Sequence, residues 1–508
     1  MNHHRHKLLF LFAILLTGIS LVLLFRLDDR PRGGRTKGEP PITLHAAAGL
    51  SRPVQRVVEA YERETGRQVN VNFGGSGTLL SGLRVAGRGD LFLAGDEQYI
   101  QNAREYDLIR EEFPVATMTP VIAVKQGNPK NIQGFADLLR EDVRVALSDS
   151  RAAAVGVLAK AMLEEAGLWD EVEAAVAARG VFRPTVNGLA TDVATGPIDA
   201  AIVFDSVANQ FDRVETLVIP GVEAHLSRVA LGVLAASEQP AAALHFARYL
   251  TASDRGAAIF AEEGFVPVPG DPWAEVPEIT LFSGGVNRVS IDDALREFEK
   301  REGARVNVVY NGCGILVSQM RAGAKPDAYF ACDTSYMEDV YERFRDHQLV
   351  SATDMVIIAA PGNPRNIRSL ADLASPGVRL AICNPDYSAL GGLTHGLLRA
   401  VDLFDPVIAN VTFGDAPTAD TVVTRVRTGR EDAGIVYRAN TTGLGGALEI
   451  IEIEHPRARA AQPIAVSVDT RFPALSDRLS SYLSTGGMKT RFEAAGFEYI
   501  VGTEMPER

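Results

Sequence analysis

The sequence predicts an α/β protein made of two tandem copies of one module, and three observations predict it. The segment from Ile42 to Ile100 returns, with substitutions, as Ile279 to Met337. Within each copy a helical spacing of apolar residues gives way to alternation. Val54, Val57, Val58 and Tyr61 precede Val69, Val71 and Phe73, while Ile291, Leu295 and Phe298 precede Val306, Val308 and Tyr310. A glycine-rich turn and a further helical pattern follow each alternating run. Strand, helix, strand, turn, helix is the order of an open α/β sheet, whose ligands sit at the carboxyl ends of its strands.

The spacing between the copies stays nearly constant from Ser76 and Cys313, through Ser148 and Cys383, to Phe204 and Tyr437. Each copy is therefore of domain size, and stacked solenoid units are excluded. The composition, 46% hydrophobic and 23% charged, is that of a globular chain. A formal net charge of −13 argues against nucleic acid as a partner, yet leaves room for a small anion held by local backbone dipoles.

An apolar run from Leu8 to Phe25 follows a basic leader. Residues 1–26 read as a signal peptide or an N-terminal membrane anchor, and 27–41, rich in Arg, Gly, Asp and Pro, as a flexible tether. No small-residue cleavage site follows Phe25, which favours the anchor. Arg26, Arg30, Arg32, Arg35 and Lys37 outnumber Arg5 and Lys7, so charge alone would keep the modules in the cytoplasm. The first module is expected over 42–270 and the second over 279–508.

The first glycine-rich turn, from Phe73 to Leu83, lies between a strand and a helix. Glycines let the backbone approach a ligand, and Ser76 with the N–H groups of the helix start can donate to an oxyanion; the plain alternative is a tight turn with a Ser cap. It lacks the lysine and spacing of a nucleotide loop. Asp96 and Asp333 end the repeated segment that follows and read as helix caps. Neither an HExxH motif nor a nucleophile elbow nor a close carboxylate pair stands out, so binding is favoured over catalysis.

The order of "AAAGL", "FGGSG", "DLFLAGD" and "GPIDAAIVF", with "GREDAGIVY" in the second copy, resembles the molybdate and tungstate binding proteins of bacterial ABC importers, which are type II periplasmic binding proteins. The resemblance implies modules of two α/β lobes, joined by a hinge of two crossovers, that close on a tetrahedral dianion. It also implies export, against the charge count above, a permease as partner, and no cofactor. Carried over to this chain, it places first-module contacts at Gly49, Ser51, Ser76, the Asp149 to Ala154 loop including Ala154, the Asn187 and Gly188 segment, and Phe204, where the family has a tyrosine. The lobes would be 42–118 with 207–270 against 119–204, and 279–353 with 438–508 against 354–437.

In the second module the same resemblance points to Ser283, Cys313, Cys332, Cys383, Ser388, Thr421 and Tyr437, the last restoring the family tyrosine. All three cysteines of the chain fall on these cleft elements. They are open to three readings: inert buried thiols, a Cys313–Cys332 disulfide with Cys383 unpaired, or a three-thiolate site for a soft ion such as Cu(I), Zn(II) or As(III). Arg52 and Arg288 could touch an anion at the rim or remain solvated. Two further readings of the whole chain are a sensor or scaffold without transport and a redox or metal-dependent enzyme using the cysteines.

Overall fold

A computed structural model describes residues 39–502. The chain divides into two compact units, one of residues up to 239 with 259–267, the other of 240–258 with everything from 268 onward. The readings made for residues 1–26 and for the tether before residue 39 lie outside the described residues. Among the described residues no helix is long and apolar enough to cross a membrane.

In the first unit the strand Ile42–Ala47 lies between Val69–Gly74 and Leu91–Ala94, all parallel. The helices Ser51–Thr65 and Ser76–Ala86 make the crossovers. Val54, Val57, Val58 and Tyr61 are all buried on the inner face of the first helix, as their spacing demands. The alternating run is an edge strand, which is why Phe73 is left 37% exposed. Leu91–Ala94 is buried along its whole length, and Ser227–Leu234 returns antiparallel beside it, joining it to Ile109–Met118.

A second, five-stranded sheet runs in the order Val181–Arg183, Val145–Ser148, Ala200–Phe204, Pro120–Lys125, Val214–Val218. The chain passes between the two sheets at Thr119. There its N–H donates to the Asp205 carboxylate at 3.1 Å and its carbonyl accepts the Asp205 N–H at 2.9 Å. The expected second lobe, 119–204, is too short, because Val214–Val218 pairs antiparallel with Pro120–Lys125 and belongs to the same sheet.

The second unit repeats the parallel set as Glu278–Gly284, Arg305–Asn311 and Ala328–Phe330, with Arg459–Ser467 as the returning strand. Its crossover differs. One 16-residue strand, Phe344–Ala359, pairs first with Arg459–Ser467 and then with Ala433–Tyr437 and Glu449–Glu452, so both lobes share one ten-stranded sheet. Two residues differ at the crossover: Arg438 replaces Asp205, which holds Thr119 in the first unit, and a proline is lost. Met355 stands where the first unit has Pro120, and its N–H bonds the Ala458 carbonyl at 2.7 Å, a bond proline cannot make. Here too the expected lobe 354–437 is extended, by Glu449–Glu452.

Candidate functional site

The first unit's cleft is built from helix starts. It measures about 330 Å³ to its open mouth and is lined by Ala48 to Leu50, Gly74 to Ser76, Ala153 to Val155, Thr185 and Val186, with Met118 and Phe204 from the strands. These are the entrances of Ser51–Thr65, Ser76–Ala86, Ala154–Glu165 and Val186–Thr195. A helix start carries unsatisfied N–H groups and a partial positive charge. None of the four has an acidic residue in its first turn, and only the last has a side-chain cap, Thr185 accepting from Gly188 at 3.3 Å. Four helix starts thus converge on an otherwise apolar, uncharged cleft, an arrangement whose electrostatics suit a small anion.

Ser76 and Thr185 are the polar side chains of the lining, and Asn187 stands next to it on the same helix start as Val186. The Ser76 hydroxyl is buried and accepts the Gly95 N–H at 3.1 Å, which leaves its own proton free to donate. Asn187 Oδ1 is buried without a partner. The Ser148 hydroxyl is already engaged, donating to the Arg183 carbonyl at 2.9 Å.

The glycines of the turn have a role beyond making room for a ligand. Gly77 N–H donates to the Ala152 carbonyl at 3.0 Å, directly across the cleft. A Cβ on Gly75 would stand 2.3 Å from the Ala152 oxygen, and one on Gly77 would stand 2.1 Å from the Arg151 oxygen. The second unit repeats the device. Gly314 N–H donates to the Tyr387 carbonyl at 3.1 Å, and a Cβ on Gly312 would meet that oxygen at 2.2 Å. Tyr336 adds a latch there, its hydroxyl donating to the Pro385 carbonyl at 3.1 Å. Both clefts are thus closed.

Of the residues expected in the first module, Gly49, Ser76, Ala154 and Phe204 line the cleft, whereas Ser51 and Gly188 do not. Gly188 sits one step too far along its helix, with its N–H taken by Thr185. Thr185 and Val186 stand there instead. Arg52 pairs with Glu263 at 2.8 Å, which engages the guanidinium proposed for the rim.

The second cleft is lined by Gly285, Val286, Asn311, Gly312, Cys332, Ser388, Thr418 to Asp420, Tyr437 and Asn440. Of the residues expected in the second module, Cys332, Ser388 and Tyr437 line this cleft, whereas Ser283, Cys313, Cys383 and Thr421 do not. Ser283 is fully buried, its hydroxyl donating to the neighbouring Gly284 carbonyl. Cys313 and Cys332 are joined in a disulfide, with the Cys332 N–H on Cys313 Sγ at 3.1 Å, the same bond that links Gly95 to Ser76 in the first unit. The three-thiolate soft-ion reading is corrected by this pairing, since two of the three sulfurs bond each other. Cys383 stays free and buried, and burial pushes its thiol up to about 12. No cluster of His, Cys, Asp or Glu suited to a metal occurs among the described residues. Arg288 lies over the Tyr310 ring at 4.5 Å, away from the lining.

Tyr437 is 2% exposed and its hydroxyl has no partner; burial raises it well above an ordinary phenol. Asn440 Oδ1 is likewise buried and unpartnered, while its amide donates to Asp420 Oδ1 at 3.2 Å. Asp420 stands at the exposed mouth in the first turn of Ala419–Arg427, so this cleft, unlike the first, carries a carboxylate.

The family described as bacterial extracellular solute-binding protein matches the chain twice, over residues 42–266 and 279–498. A binding protein of Haemophilus influenzae is 32% identical over 225 residues, 44% of this chain and 90% of its own length. The molybdate-binding protein ModA of Mycobacterium bovis is 28% identical over 237 residues, 45% of this chain and 87% of its own. Among solved structures, the periplasmic molybdate-binding protein of Azotobacter vinelandii superimposes with a TM-score of 0.40 at 18% identity, covering 45% of this chain and 99% of that one.

Proposed function

The chain belongs to the family of bacterial extracellular solute-binding proteins, and on that premise we propose that its first module captures a small tetrahedral oxyanion of the molybdate or tungstate kind for an ABC importer. The observation that carries this reading is the convergence of four helix starts, none with an acidic first turn, on one closed cleft with the Ser76 hydroxyl. Backbone N–H groups fixed by a helix donate without the desolvation of a mobile cation, and the apolar walls strengthen each donor. Phe204 in place of a tyrosine removes one donor from the set.

Closure supplies the signal. Ligand bridging the helix starts of both lobes favours the closed arrangement, which a permease can distinguish from the open one. The location that follows from this reading is the extracytoplasmic face of the cell, with the 1–26 segment as leader or anchor. Calorimetric titration of the full chain with molybdate tests the proposal. Heat fitting a site of micromolar affinity or better is expected, and its absence with molybdate, tungstate and sulfate would remove the oxyanion reading.

A further inference from the structure

The two clefts share one backbone plan but differ in what their side chains ask of a ligand. At the helix start where the first unit has Asn187, the second has the isosteric Asp420. Where the first has Phe204 and Val207, the second has Tyr437 and Asn440. Each exchange adds an oxygen that can accept. An amide that can donate becomes a carboxylate that only accepts, and two hydrocarbon side chains become a phenol, which both donates and accepts, and an amide whose N–H group donates to Asp420.

Those oxygens are not satisfied within the protein. The Tyr437 hydroxyl and Asn440 Oδ1 are both buried and unpartnered, and both residues line the cleft. Asp420 accepts only from the Asn440 amide and has no Lys or Arg against it among the described residues. Asn440 Oδ1 is a buried acceptor without a donor, which is unfavourable, and a ligand that brings a donor relieves it, while the Tyr437 hydroxyl can donate to an anion's oxygen or accept its proton. The remaining helix starts, Arg288–Glu302, Cys313–Arg321 and Ala389–Ala400, have no acid in their first turns and keep the cleft suited to negative charge.

We propose that the second cleft selects an anion carrying its own hydrogen-bond donor, such as a protonated oxyanion of the hydrogen phosphate kind, and rejects a fully ionised one such as sulfate or molybdate. The rejection follows from Asp420, whose carboxylate repels an oxyanion without a proton and accepts from one that has it. This deepens the oxyanion reading of the first module and rests on it. The chain would then hold two clefts of opposite preference, one for bare dianions and one for protonated anions.

Calorimetry on the full chain tests this with inorganic phosphate, sulfate, glycine and molybdate at neutral pH, using wild type, Asp420→Asn and the reciprocal Asn187→Asp. Wild type is expected to bind phosphate at least tenfold more tightly than sulfate at one site, Asp420→Asn to erase that preference, and Asn187→Asp to create it at the first cleft. Heat with glycine instead of phosphate, lost in Asp420→Asn, supports the same donor-bearing chemistry and assigns it to a zwitterion. Equal binding of phosphate and sulfate, a preference untouched by Asp420→Asn, or no heat from either phosphate or glycine would overturn the proposal. The wild-type molybdate titration separates the two ideas, because its failure removes the first-module reading whatever phosphate does.

Discussion

Replacing Gly77 by alanine should hold the first cleft open without harming the fold. Gly77 lies inside the helix Ser76–Ala86, where alanine is the better helix former by about 1 kcal/mol. Its new methyl group would stand 2.1 Å from the Arg151 carbonyl oxygen, a backbone atom of the opposite lobe that cannot swing aside. Reaching ordinary van der Waals contact requires the lobes to part by roughly 1 Å. That stretches the Gly77 to Ala152 bond, now 3.0 Å, past the range of a hydrogen bond and forfeits about 0.5–1.5 kcal/mol. A ligand bridging both lobes loses contact on one side as well, so the affinity for molybdate should fall at least about tenfold, or 1.4 kcal/mol. Gly82→Ala is the control, since it gains the same helix propensity and its Cβ meets nothing within 4 Å. Calorimetry gives the affinities and thermal denaturation the stabilities. If Gly77→Ala binds within threefold of Gly82→Ala, the closed contact is not what the ligand stabilises and the reasoning fails.

Tyr437→Phe should leave the ligand-free protein as stable as wild type or raise its stability by about 1 kcal/mol, because the hydroxyl removed has no partner; chemical denaturation would show a marked loss if it is bonded after all. Converting Cys313 to Ser and Cys332 to Gly reproduces the Ser76 and Gly95 pair of the first unit and should cost about 3 kcal/mol for opening a 19-residue loop, so a drop below 1 kcal/mol in the same assay would contradict a structural disulfide. Cys383, with its thiol pushed up to about 12 by burial, should resist iodoacetamide at pH 8 in the native protein and react once denatured, as intact-mass spectrometry would read; native labelling would refute its burial.

How much of this was legible in the sequence depends on whether the signal was local. The alternation of Val69, Val71 and Phe73 and the helical spacing of Val54, Val57, Val58 and Tyr61 encode period directly, and those elements formed where expected. Asp96 and Asp333 cap their helices, each accepting from the N–H two residues on. The strands Val214–Val218 and Glu449–Glu452 were assigned to the wrong lobe because an edge strand is placed by its pairing partner, which no local pattern names. Gly188 and Thr421 fall a residue or two beyond the cleft lining. The first turn of a helix aims its N–H groups outward, and the positions that face the cleft are Thr185 with Val186 and Thr418 with Asp420. The cross-cleft purpose of Gly75 and Gly77 was hidden for the same reason as the strands, since their partners at residues 151 and 152 are distant in the chain.

What did survive duplication is volume, and that explains how two chemistries can occupy one plan. A Cβ on Gly49 would stand 2.8 Å from Val186 across the first cleft, so this position admits no side chain while valine faces it. The second copy has Val286 in place of Gly49 and Ala419 in place of Val186, both again in the cleft lining. The bulk has moved from one wall to the other, and exchanges that keep total volume are the ones a packed contact tolerates best. Closure therefore remains available to both copies, with Gly75 and Gly77 matched by Gly312 and Gly314. The residues left free to change are those that contribute a charge or a hydrogen bond and little volume: Ser76 to Cys313, Asn187 to Asp420, Phe204 to Tyr437. A single-copy swap such as Gly49→Val should accordingly block closure of the first cleft, and adding Val186→Ala should restore it, with molybdate affinity as the readout; failure of the pair to recover would show that the walls are not exchanging volume.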